Sequence, residues 1–416
     1  MLLAQLFRTI IERGELTVID AKGQTRRYGD AARGPPVTIR LHDRALHTRL
    51  PLNPRLVLGE AYMDGTLTVE GGSIYEFLDL VGLNIGSGPM NAWDRWFLRV
   101  ELLCRGFQQA NPLGKAQEHV AHHYDLSSEL YDLFLDADRQ YSCGYFPEAG
   151  MTLDESQEAK KRHIAAKLCL ETGQKVLDIG SGWGGMGLYL AQNANVEVTG
   201  VTLSREQQEM SQERAREANL AGRVGFHLRD YREDTGTYDR IVSVGMFEHI
   251  GVPHYQEFFD KLASLLQDDG VALIHTIADR GMPTATNPWL RKYIFPGGHC
   301  PSFSETLPAI ERAGLWVTDI EILRLHYAET LRHWRRRFMA NRHRVIELYD
   351  ERFCRMWEFY LASCEMGFRR MGMMVAQIQL TKAIDAVPLT RDYMAGWEQA
   401  HPPAEEASSR RLKLLN

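Results

Sequence analysis

A cluster of glycines follows a short apolar stretch near the middle of the chain. It reads Asp178-Ile-Gly-Ser-Gly-Trp-Gly-Gly185. Glycines at the turn from a strand into a helix let the backbone approach a ligand closely, and the first turn of the helix offers unpaired N–H groups. The spacing predicts a cofactor site, and Gly180, Gly182 and Gly185 satisfy the pattern of a dinucleotide-binding loop.

The end of the next strand bears on which cofactor this loop binds. A dinucleotide site has an acidic residue about 20 residues further on, whereas the second strand here ends Gly200-Val-Thr-Leu203 without a carboxylate. The loop alone is compatible with a nicotinamide cofactor or with S-adenosylmethionine. Asp178 favours S-adenosylmethionine, because a carboxylate suits a cationic amino-acid group better than a pyrophosphate.

Strands and helices alternate from Val176 onward, which predicts an α/β fold with a mostly parallel sheet. Helices such as that over 206–219 separate the strands, which we predict over 176–179, 196–203, 224–228, 240–244 and 271–277. Ligands bind beyond the carboxyl ends of such strands. The residues expected to meet there are Gly180–Gly185, Thr202, Asp230, Gly245–Glu248 and His275.

Residues 1–90 are predicted to form a smaller α/β domain. Strands over 15–20 and 37–41 alternate apolar and polar residues, and a helix is expected over 73–83. Two glycines and a proline make 85–90 the best linker, and a helical stretch over 92–110 follows. The predicted divisions are a domain at 1–90, a helical linker at 91–116, a catalytic domain at 117–401 and a flexible tail at 402–416.

Composition excludes several classes of protein. The chain has 416 residues, 44% of them hydrophobic, and a net charge of −6, which gives no general attraction to nucleic acid. No stretch of 18 residues is both uncharged and dominantly apolar, and the start lacks a secretory signal, so a cytoplasmic protein is expected. The six cysteines form no CxxC pair, so neither a metal site nor a disulfide framework is expected.

Six motifs occur in order along the chain: His123-Tyr-Asp-Leu-Ser127, Tyr141-Ser-Cys-Gly-Tyr-Phe146, Val176-Leu-Asp-Ile-Gly-Ser-Gly-Trp-Gly-Gly185, Thr202-Leu-Ser-Arg-Glu-Gln207, Phe247-Glu-His-Ile250 and Tyr293-Ile-Phe-Pro-Gly-Gly298. With Gly59-Glu-Ala-Tyr-Met-Asp-Gly65, the series resembles the cyclopropane-fatty-acyl-phospholipid synthases, relatives of the mycolic acid cyclopropane synthases. The resemblance implies a class I methyltransferase fold with a smaller N-terminal α/β domain. It also implies transfer of the methylene of S-adenosylmethionine onto a cis double bond of unsaturated phospholipid acyl chains.

The resemblance further implies which residues bind the cofactor. Tyr141 and Ser142 would line its pocket, the glycine loop would hold the methionine part, the second strand end the ribose, and the third strand end the adenine. The cofactor residues so implied are Tyr141, Ser142, Asp178, Gly180, Ser181, Gly182, Gly184, Thr202, Leu203, Gln207, Asp230 and Tyr231.

Ring formation also needs a base. Methylation of an alkene leaves a carbocation, and closing the ring requires a proton to be removed from the new methyl group. In the family this base is thought to be a bicarbonate ion, and the matching catalytic positions are Cys143, Glu248, His275, Ile277 and Tyr327. The Cys143 and Ile277 amides and His275 would donate to the ion, Glu248 would accept its proton or orient His275, and Tyr327 would stabilise the anion or the cation.

Each of these residues also has a purely structural interpretation. Cys143 could be an ordinary buried thiol, Glu248 a helix cap, and His275 a core histidine. Two further functions also stay open. One is a methyltransferase that leaves a methyl or methylene branch or acts on a small amine, and the other is a non-catalytic lipid-binding protein.

Two segments could contact the lipid. The stretch Arg332–Arg344 has six arginines and no acid, so with Trp334 and Phe338 it could bind anionic headgroups, or it could be a solvated helix balanced by nearby acids. The residues around Trp289 and Phe295 could form a mobile apolar lip or a packed loop. The basic run predicts that the protein associates reversibly with membrane phospholipids, and the resemblance implies a homodimer with phospholipid handling by the N-terminal domain.

Overall fold

The computed structural model describes residues 2–85 and 127–403, and every structural statement here refers to those ranges. The predicted helix over 92–110, the linker 91–116 and nearly all of the linker over 85–90 lie outside them. So do the start of the predicted catalytic domain 117–401 and most of the tail 402–416.

Residues 2–85 form a small α/β unit around a four-stranded sheet of order β2-β1-β3-β4. Its elements are α1 (Leu2–Ile10), β1 (Gly14–Ile19), β2 (Thr25–Asp30), β3 (Pro36–Leu41), α2 (Leu46–Leu52), α3 (Pro54–Met63), β4 (Leu67–Glu70) and α4 (Ile74–Ile85). Strands β1 and β3 are parallel, and burial alternates along both. The predicted strands over 15–20 and 37–41 and the helix over 73–83 are confirmed to within two residues. Strand β2 gave no apolar alternation because only Tyr28 of it is buried.

The rest of the described chain is built on a seven-stranded sheet of order β10-β11-β9-β8-β5-β6-β7. Its first elements are α5 (Ser128–Asp132), α6 (Leu153–Lys167), β5 (Lys175–Ile179), α7 (Gly185–Ala194), β6 (Glu197–Thr202), α8 (Arg205–Glu217), β7 (Val224–Leu228), β8 (Tyr238–Val244), α9 (Tyr255–Leu265) and β9 (Leu266–Asp279). The later ones are α10 (Pro288–Tyr293), α11 (Phe303–Arg312), β10 (Trp316–Ile322), α12 (His326–Ala340), α13 (Arg342–Leu348), α14 (Glu351–Arg370), β11 (Met373–Thr381) and α15 (Asp392–Ala400).

Strands β5 to β9 are parallel, which confirms the five predicted strands and the mostly parallel sheet. Strands β10 and β11 were not predicted. They extend the sheet beyond β9, with β11 antiparallel to β9 and β10 antiparallel to β11. Because β6 and β8 lie on opposite sides of β5, the strand order reverses there, and a crevice opens at the carboxyl ends of β5 and β8. Among the described helices, none is long and apolar enough to cross a bilayer.

The small unit and the larger one share a hydrophobic core. Leu16 and Phe77 of the first belong to the same buried cluster as Trp334 and Trp357 of the second. A close contact joins α3 to α10, where a Cβ added at Gly59 would overlap the indole ring of Trp289. Glycine is therefore required there by the approach of the indole.

Gly59→Ala is expected to lower the free energy of unfolding by about 1–3 kcal/mol, because the added methyl group forces α3 away from the buried Trp289. Urea unfolding followed by tryptophan fluorescence measures the change. Gly396→Ala is the matched control, since Gly396 lies within α15 and its added Cβ would meet no atom within 4 Å. That control should be neutral or stabilising by at most about 1 kcal/mol. Equal stability of Gly59→Ala and the unaltered chain would contradict the tight contact.

Candidate active site

Two adjoining cavities lie at the carboxyl ends of the parallel strands. The first has about 180 Å³ of space beside the glycine loop, and the second has about 110 Å³ and a more apolar lining. Tyr141, Ser142, Gly245 and His249 line both cavities. A ligand in one cavity would therefore lie next to a ligand in the other.

The first cavity brings together the residues predicted to bind the cofactor, apart from Gly184. Those that line it are Tyr141, Ser142, Asp178, Gly180, Ser181, Gly182, Thr202, Leu203, Gln207, Asp230 and Tyr231. Gly184 instead precedes α7, and a Cβ on it would lie 2.7 Å from the ring of Phe226. Glycine at this position is therefore required by packing, and it does not line the cavity.

Three of the four glycines of the loop have a left-handed backbone. Gly180, Gly182 and Gly184 have φ values of 81°, 54° and 82°. A Cβ at Gly180 would contact Met246 at 2.9 Å, whereas one at Gly182 would meet no protein atom within 4 Å. Because Gly182 also lines the first cavity, the space in front of it is the space available to a ligand.

Asp178 provides a buried negative group at the floor of this cavity. It lies next to Ile179 at the end of β5, is 1% exposed, and its Oδ2 has no hydrogen-bond partner. Burial raises the pKa of Asp178 to about 7, against the opposing charge of Lys160. A buried carboxylate with an unused oxygen is suited to a cationic ligand, which would restore its ordinary acidity.

The other predicted cofactor residues are already organised by the protein. Thr202 donates a hydrogen bond to Gln207 Oε1 at 2.9 Å. Both carboxylate oxygens of Asp230 accept from Arg232, at 2.9 and 2.7 Å. The wall shared by the cavities is held by Lys160, whose Nζ donates to Ser142 Oγ at 2.8 Å. Lys160 is fully buried, and it was not among the predicted residues.

The second cavity brings together all five predicted catalytic residues, which are Cys143, Glu248, His275, Ile277 and Tyr327. They come from the segment before α6, the turn after β8, strand β9 and helix α12. The remaining lining is largely apolar and includes Leu290, Phe295, Leu331, Phe368 and Val375. The cavity therefore combines a small polar group with walls that suit a hydrocarbon chain.

Glu248 and His275 both line this cavity, and each has a buried polar atom without a hydrogen-bond partner. Glu248 Oε1 accepts from the Ile277 amide at 2.6 Å, while its Oε2 has no partner. His275 Nδ1 lies 3.2 Å from Gln377 Nε2, and its Nε2 has no partner. Burial raises the pKa of Glu248 to about 7 and lowers the pKa of His275 well below its usual value.

Two expectations about this group need correction. The Ile277 amide was expected to donate to a bound anion, but it donates to Glu248. Glu248 was one candidate for orienting His275, yet Gln377 is the residue in contact with His275 Nδ1. A signal for Gln377 exists in the sequence, since Gln377 and Gln379 alternate with apolar residues in Met373–Thr381.

The Cys143 side chain makes a hydrogen bond to the neighbouring backbone, and the Tyr327 side chain packs against aromatic rings. The Cys143 thiol donates to the Gly144 carbonyl at 3.2 Å, and burial raises its pKa, so it stays protonated. The ring of Tyr327 packs 4.8 Å from that of Phe368 and edge-on to Trp334. A rigidly packed aromatic ring at a cavity wall can stabilise positive charge in front of its face.

The basic run 332–344 does not form the aromatic and basic surface considered above. Trp334 and Phe338 are fully buried in the shared core. Most of the arginines pair with acids, and these pairs are Arg332–Glu329, Arg335–Glu365, Arg337–Asp154, Arg342–Glu351 and Arg344–Glu129. The positive charges of α12 and α13 are therefore largely balanced by acids, although Arg336 and Met339 of α12 and Ile346 of α13 are exposed.

The segment around Trp289 is mostly packed. Trp289 and Ile294 are 1% and 2% exposed, and Tyr293 donates to Glu60 at 3.0 Å. Phe295 lines the second cavity, with its ring 5.6 Å from that of Tyr360. The packed interpretation thus holds for Trp289 and Ile294, while Leu290 and Phe295 border the second cavity.

Comparisons with known proteins find matches to both units of the chain. Residues 112–378 match the family model described as mycolic acid cyclopropane synthetase, and residues 2–87 match one described as a domain of unknown function. The chain is 36% identical to the cyclopropane-fatty-acyl-phospholipid synthase of Escherichia coli K12, over 86% of this chain and 92% of that one. It is 37% identical to a probable fatty acid methyltransferase of Pseudomonas putida, over 64% and 69% of the two chains.

A solved structure resembles the larger unit. The mycolic acid cyclopropane synthase CmaA1, in complex with SAH and CTAB, matches with a TM-score of 0.60 and 34% identity. The match covers 64% of this chain and 97% of that one.

Proposed function

The chain belongs to the mycolic acid cyclopropane synthetase family and is an S-adenosylmethionine-dependent enzyme with a class I methyltransferase fold, and we propose that it makes cyclopropane rings in phospholipids. Its substrate would be the cis double bond of an unsaturated acyl chain. The observation that carries this proposal is the second cavity, whose largely apolar lining includes Glu248 and His275, and the buried Oε2 and Nε2 of these two residues have no partner. A hydrocarbon chain and a small polar ion can be held there side by side.

The first cavity would hold the methyl donor. When bound, S-adenosylmethionine supplies an electrophilic sulfonium methyl group. Asp178 would pair with its amino group, and the glycine loop would let the backbone lie against its methionine part. Thr202 and Gln207 would bind the ribose, and Asp230 with Tyr231 the adenine. Lys160 positions Ser142 in the wall between donor and acceptor.

The polar group of the second cavity would hold a bicarbonate ion as the base. His275 Nε2 and the Cys143 amide would donate to its oxygens, and Glu248 Oε2 would accept its hydroxyl proton. The Ile277 amide would act through Glu248, to which it is hydrogen-bonded. Tyr327 would face the positive charge that develops on the acyl chain. The apolar walls would keep water away from that charge, which strengthens each electrostatic contact.

Lipid analysis tests this function directly. Cells that express the chain should convert unsaturated phospholipids into species heavier by one CH₂. Mild catalytic hydrogenation before mass spectrometry should leave these species unchanged, because a cyclopropane ring is not an alkene. A lipid with a methylene branch would instead take up hydrogen. If the lipids are unaltered, the proposal that this chain modifies lipids is wrong.

A second candidate function is fatty-acyl methylation that stops at a methyl or methylene branch. The similarity to a probable fatty acid methyltransferase favours it, and the apolar cavity would serve either reaction. The base group would serve both reactions, because the carbocation must lose a proton whether it closes to a ring or becomes a methylene branch, so the lipid product distinguishes them. The same cavity disfavours a small amine as the acceptor.

The smaller unit would help to handle the phospholipid. Its helix α3 packs on α10, and Leu290 of α10 lines the second cavity. Residues 1–90 would therefore influence how an acyl chain enters. We also propose that the enzyme is a homodimer, and sedimentation of the purified protein tests this oligomeric state.

The enzyme must reach lipids in a membrane, and we expect it to float with anionic vesicles at low salt. The exposed residues that support this expectation are Arg336 and Met339 of α12 and Ile346 of α13, because the aromatic residues of this stretch are buried. Each basic residue near an anionic surface contributes about 1 kcal/mol, and salt screens this attraction. High salt should release the protein, whereas equal flotation with neutral vesicles would contradict an electrostatic contact.

A further inference from the structure

A line of hydrogen bonds leads from helix α6 to the buried histidine of the second cavity. Strand β11 runs antiparallel to β9, and Gln377 lies directly opposite His275 in the register. Lys167 Nζ donates to Gln377 Oε1 at 2.7 Å, and Gln377 Nε2 lies 3.2 Å from His275 Nδ1. All three side chains are at most 2% exposed, so water does not compete for these contacts.

The partners leave only one arrangement of protons. An ammonium group has donors and no acceptor, so the atom of Gln377 facing Lys167 must be its carbonyl oxygen. The amide nitrogen of Gln377 then faces His275, and it too can only donate. His275 Nδ1 must accept, which means that it carries no proton and that the proton of the neutral ring is on Nε2.

Burial lowers the pKa of Lys167, and the neighbouring carboxylate of Glu321 opposes this shift and favours the ammonium form. Lys167 Nζ also donates to Glu321, and Glu321 in turn contacts His163 Nε2 at 2.7 Å. Although burial opposes it, His163 and Lys167 hold the pKa of Glu321 at about 2. The other ring nitrogen of His163 meets Glu398 at 2.7 Å, so the line is anchored on α15.

We propose that Lys167 and Gln377 are positioning residues that fix His275 as the neutral tautomer with its proton on Nε2. This inference deepens the proposed function and rests on it for its catalytic meaning. His275 then presents a permanent donor to the cavity and cannot take up the substrate proton at Nε2. The proton released in ring closure must go to another acceptor, such as an anion bound between His275 and Glu248 Oε2.

Nitrogen-15 NMR of the protein labelled on its histidines tests the tautomer without any reaction. The His275 signals are identified by their loss in His275→Asn. We expect His275 Nδ1 to show the shift of an unprotonated nitrogen and Nε2 that of a protonated one. A protonated Nδ1 in the unaltered chain would overturn the inference, whatever the enzyme does to lipids.

Gln377→Glu keeps the shape of the side chain and replaces the donor by a carboxylate. Paired with Lys167, that carboxylate should accept from His275 and place a proton on Nδ1. We expect the NMR signature to change accordingly and kcat to fall by roughly 10- to 100-fold, with little change in affinity for S-adenosylhomocysteine. An Nδ1 that stays unprotonated in this variant would count against the role of Gln377.

Gln379→Met is the matched control. Gln379 is a second buried glutamine on the same face of β11, and it contacts the Lys167 carbonyl and Tyr393 but not His275. Its loss should leave the His275 signals in place, and a matching change would overturn a specific effect of Gln377. If the tautomer is as expected but no ring forms in lipids, the proposed function fails while the inference about His275 stands.

Discussion

Replacing Glu248 by glutamine is expected to slow ring formation by about 10²–10⁴ while leaving the affinity for S-adenosylhomocysteine nearly unchanged. The new side chain can still accept from the Ile277 amide through its oxygen, so the local shape is kept. Its other end becomes an amide donor in place of the unused Oε2. A bound bicarbonate would then lose the acceptor for its proton. Initial rates with unsaturated phospholipid vesicles, alongside calorimetry with S-adenosylhomocysteine, measure both quantities.

Two controls separate this effect from general damage. Cys143→Ser should be much milder, because the proposed donor at that position is the main-chain amide. Removing carbonate from the buffer should slow the unaltered enzyme, and adding it back should restore the rate. If Glu248→Gln keeps full activity in carbonate-free buffer, the bicarbonate mechanism is wrong for this protein.

The same variant should be more stable than the unaltered protein at alkaline pH. Burial raises the pKa of Glu248 from 4.5 to about 7 in the folded protein. The native state therefore binds more protons than the unfolded one between these values, so this carboxyl group costs stability as the pH rises through that window. Above about pH 7 the cost is complete, at about 3 kcal/mol, and Glu248→Gln removes it. Thermal unfolding at about pH 4 and pH 8 should show a gain only at the higher pH.

Gly182→Leu is expected to weaken binding of S-adenosylhomocysteine by about 100-fold, or about 2.7 kcal/mol. Gly182 lines the first cavity, and an added Cβ would meet no protein atom there. A leucine side chain would therefore occupy the volume proposed for the methionine part of the cofactor. Calorimetric titration measures the affinity, and NAD should show no binding to either protein. Tight NAD binding by the unaltered chain, with no response to S-adenosylhomocysteine, would contradict the cofactor assignment.

Gly173→Leu is the matched control for this change. Gly173 also has a left-handed backbone, with φ of 84°, and a Cβ there would again meet no atom within 4 Å. Both variants suffer the same backbone strain of about 1–2 kcal/mol. Only Gly182 of the two lines the cavity, so normal binding by Gly173→Leu beside weak binding by Gly182→Leu assigns the effect to lost space. Equal losses in the two variants would assign it to strain.

The sequence by itself determined the features that depend on local order. The apolar stretches of β5 to β9 and the helices between them predict a parallel sheet, because alternating elements leave few other arrangements. The glycines at 180 and 182 predict the cofactor loop, since only glycine adopts that backbone at low cost. The family resemblance that the ordered motifs support also implied Glu248, His275 and Tyr327, which lie together at the second cavity.

Only the tertiary structure decided how distant residues use one another's polar atoms. The Ile277 amide donates to Glu248, which lies far away in the sequence. Gln377 contacts His275 because strand β11, which was not predicted, pairs with β9. The sequence left Trp334 available for a lipid surface, yet α12 turns it into the core and pairs most of the neighbouring arginines with acids from other segments. Burial and pairing depend on which segments meet in space, and a linear pattern of residue types carries no information about a partner that lies far along the chain.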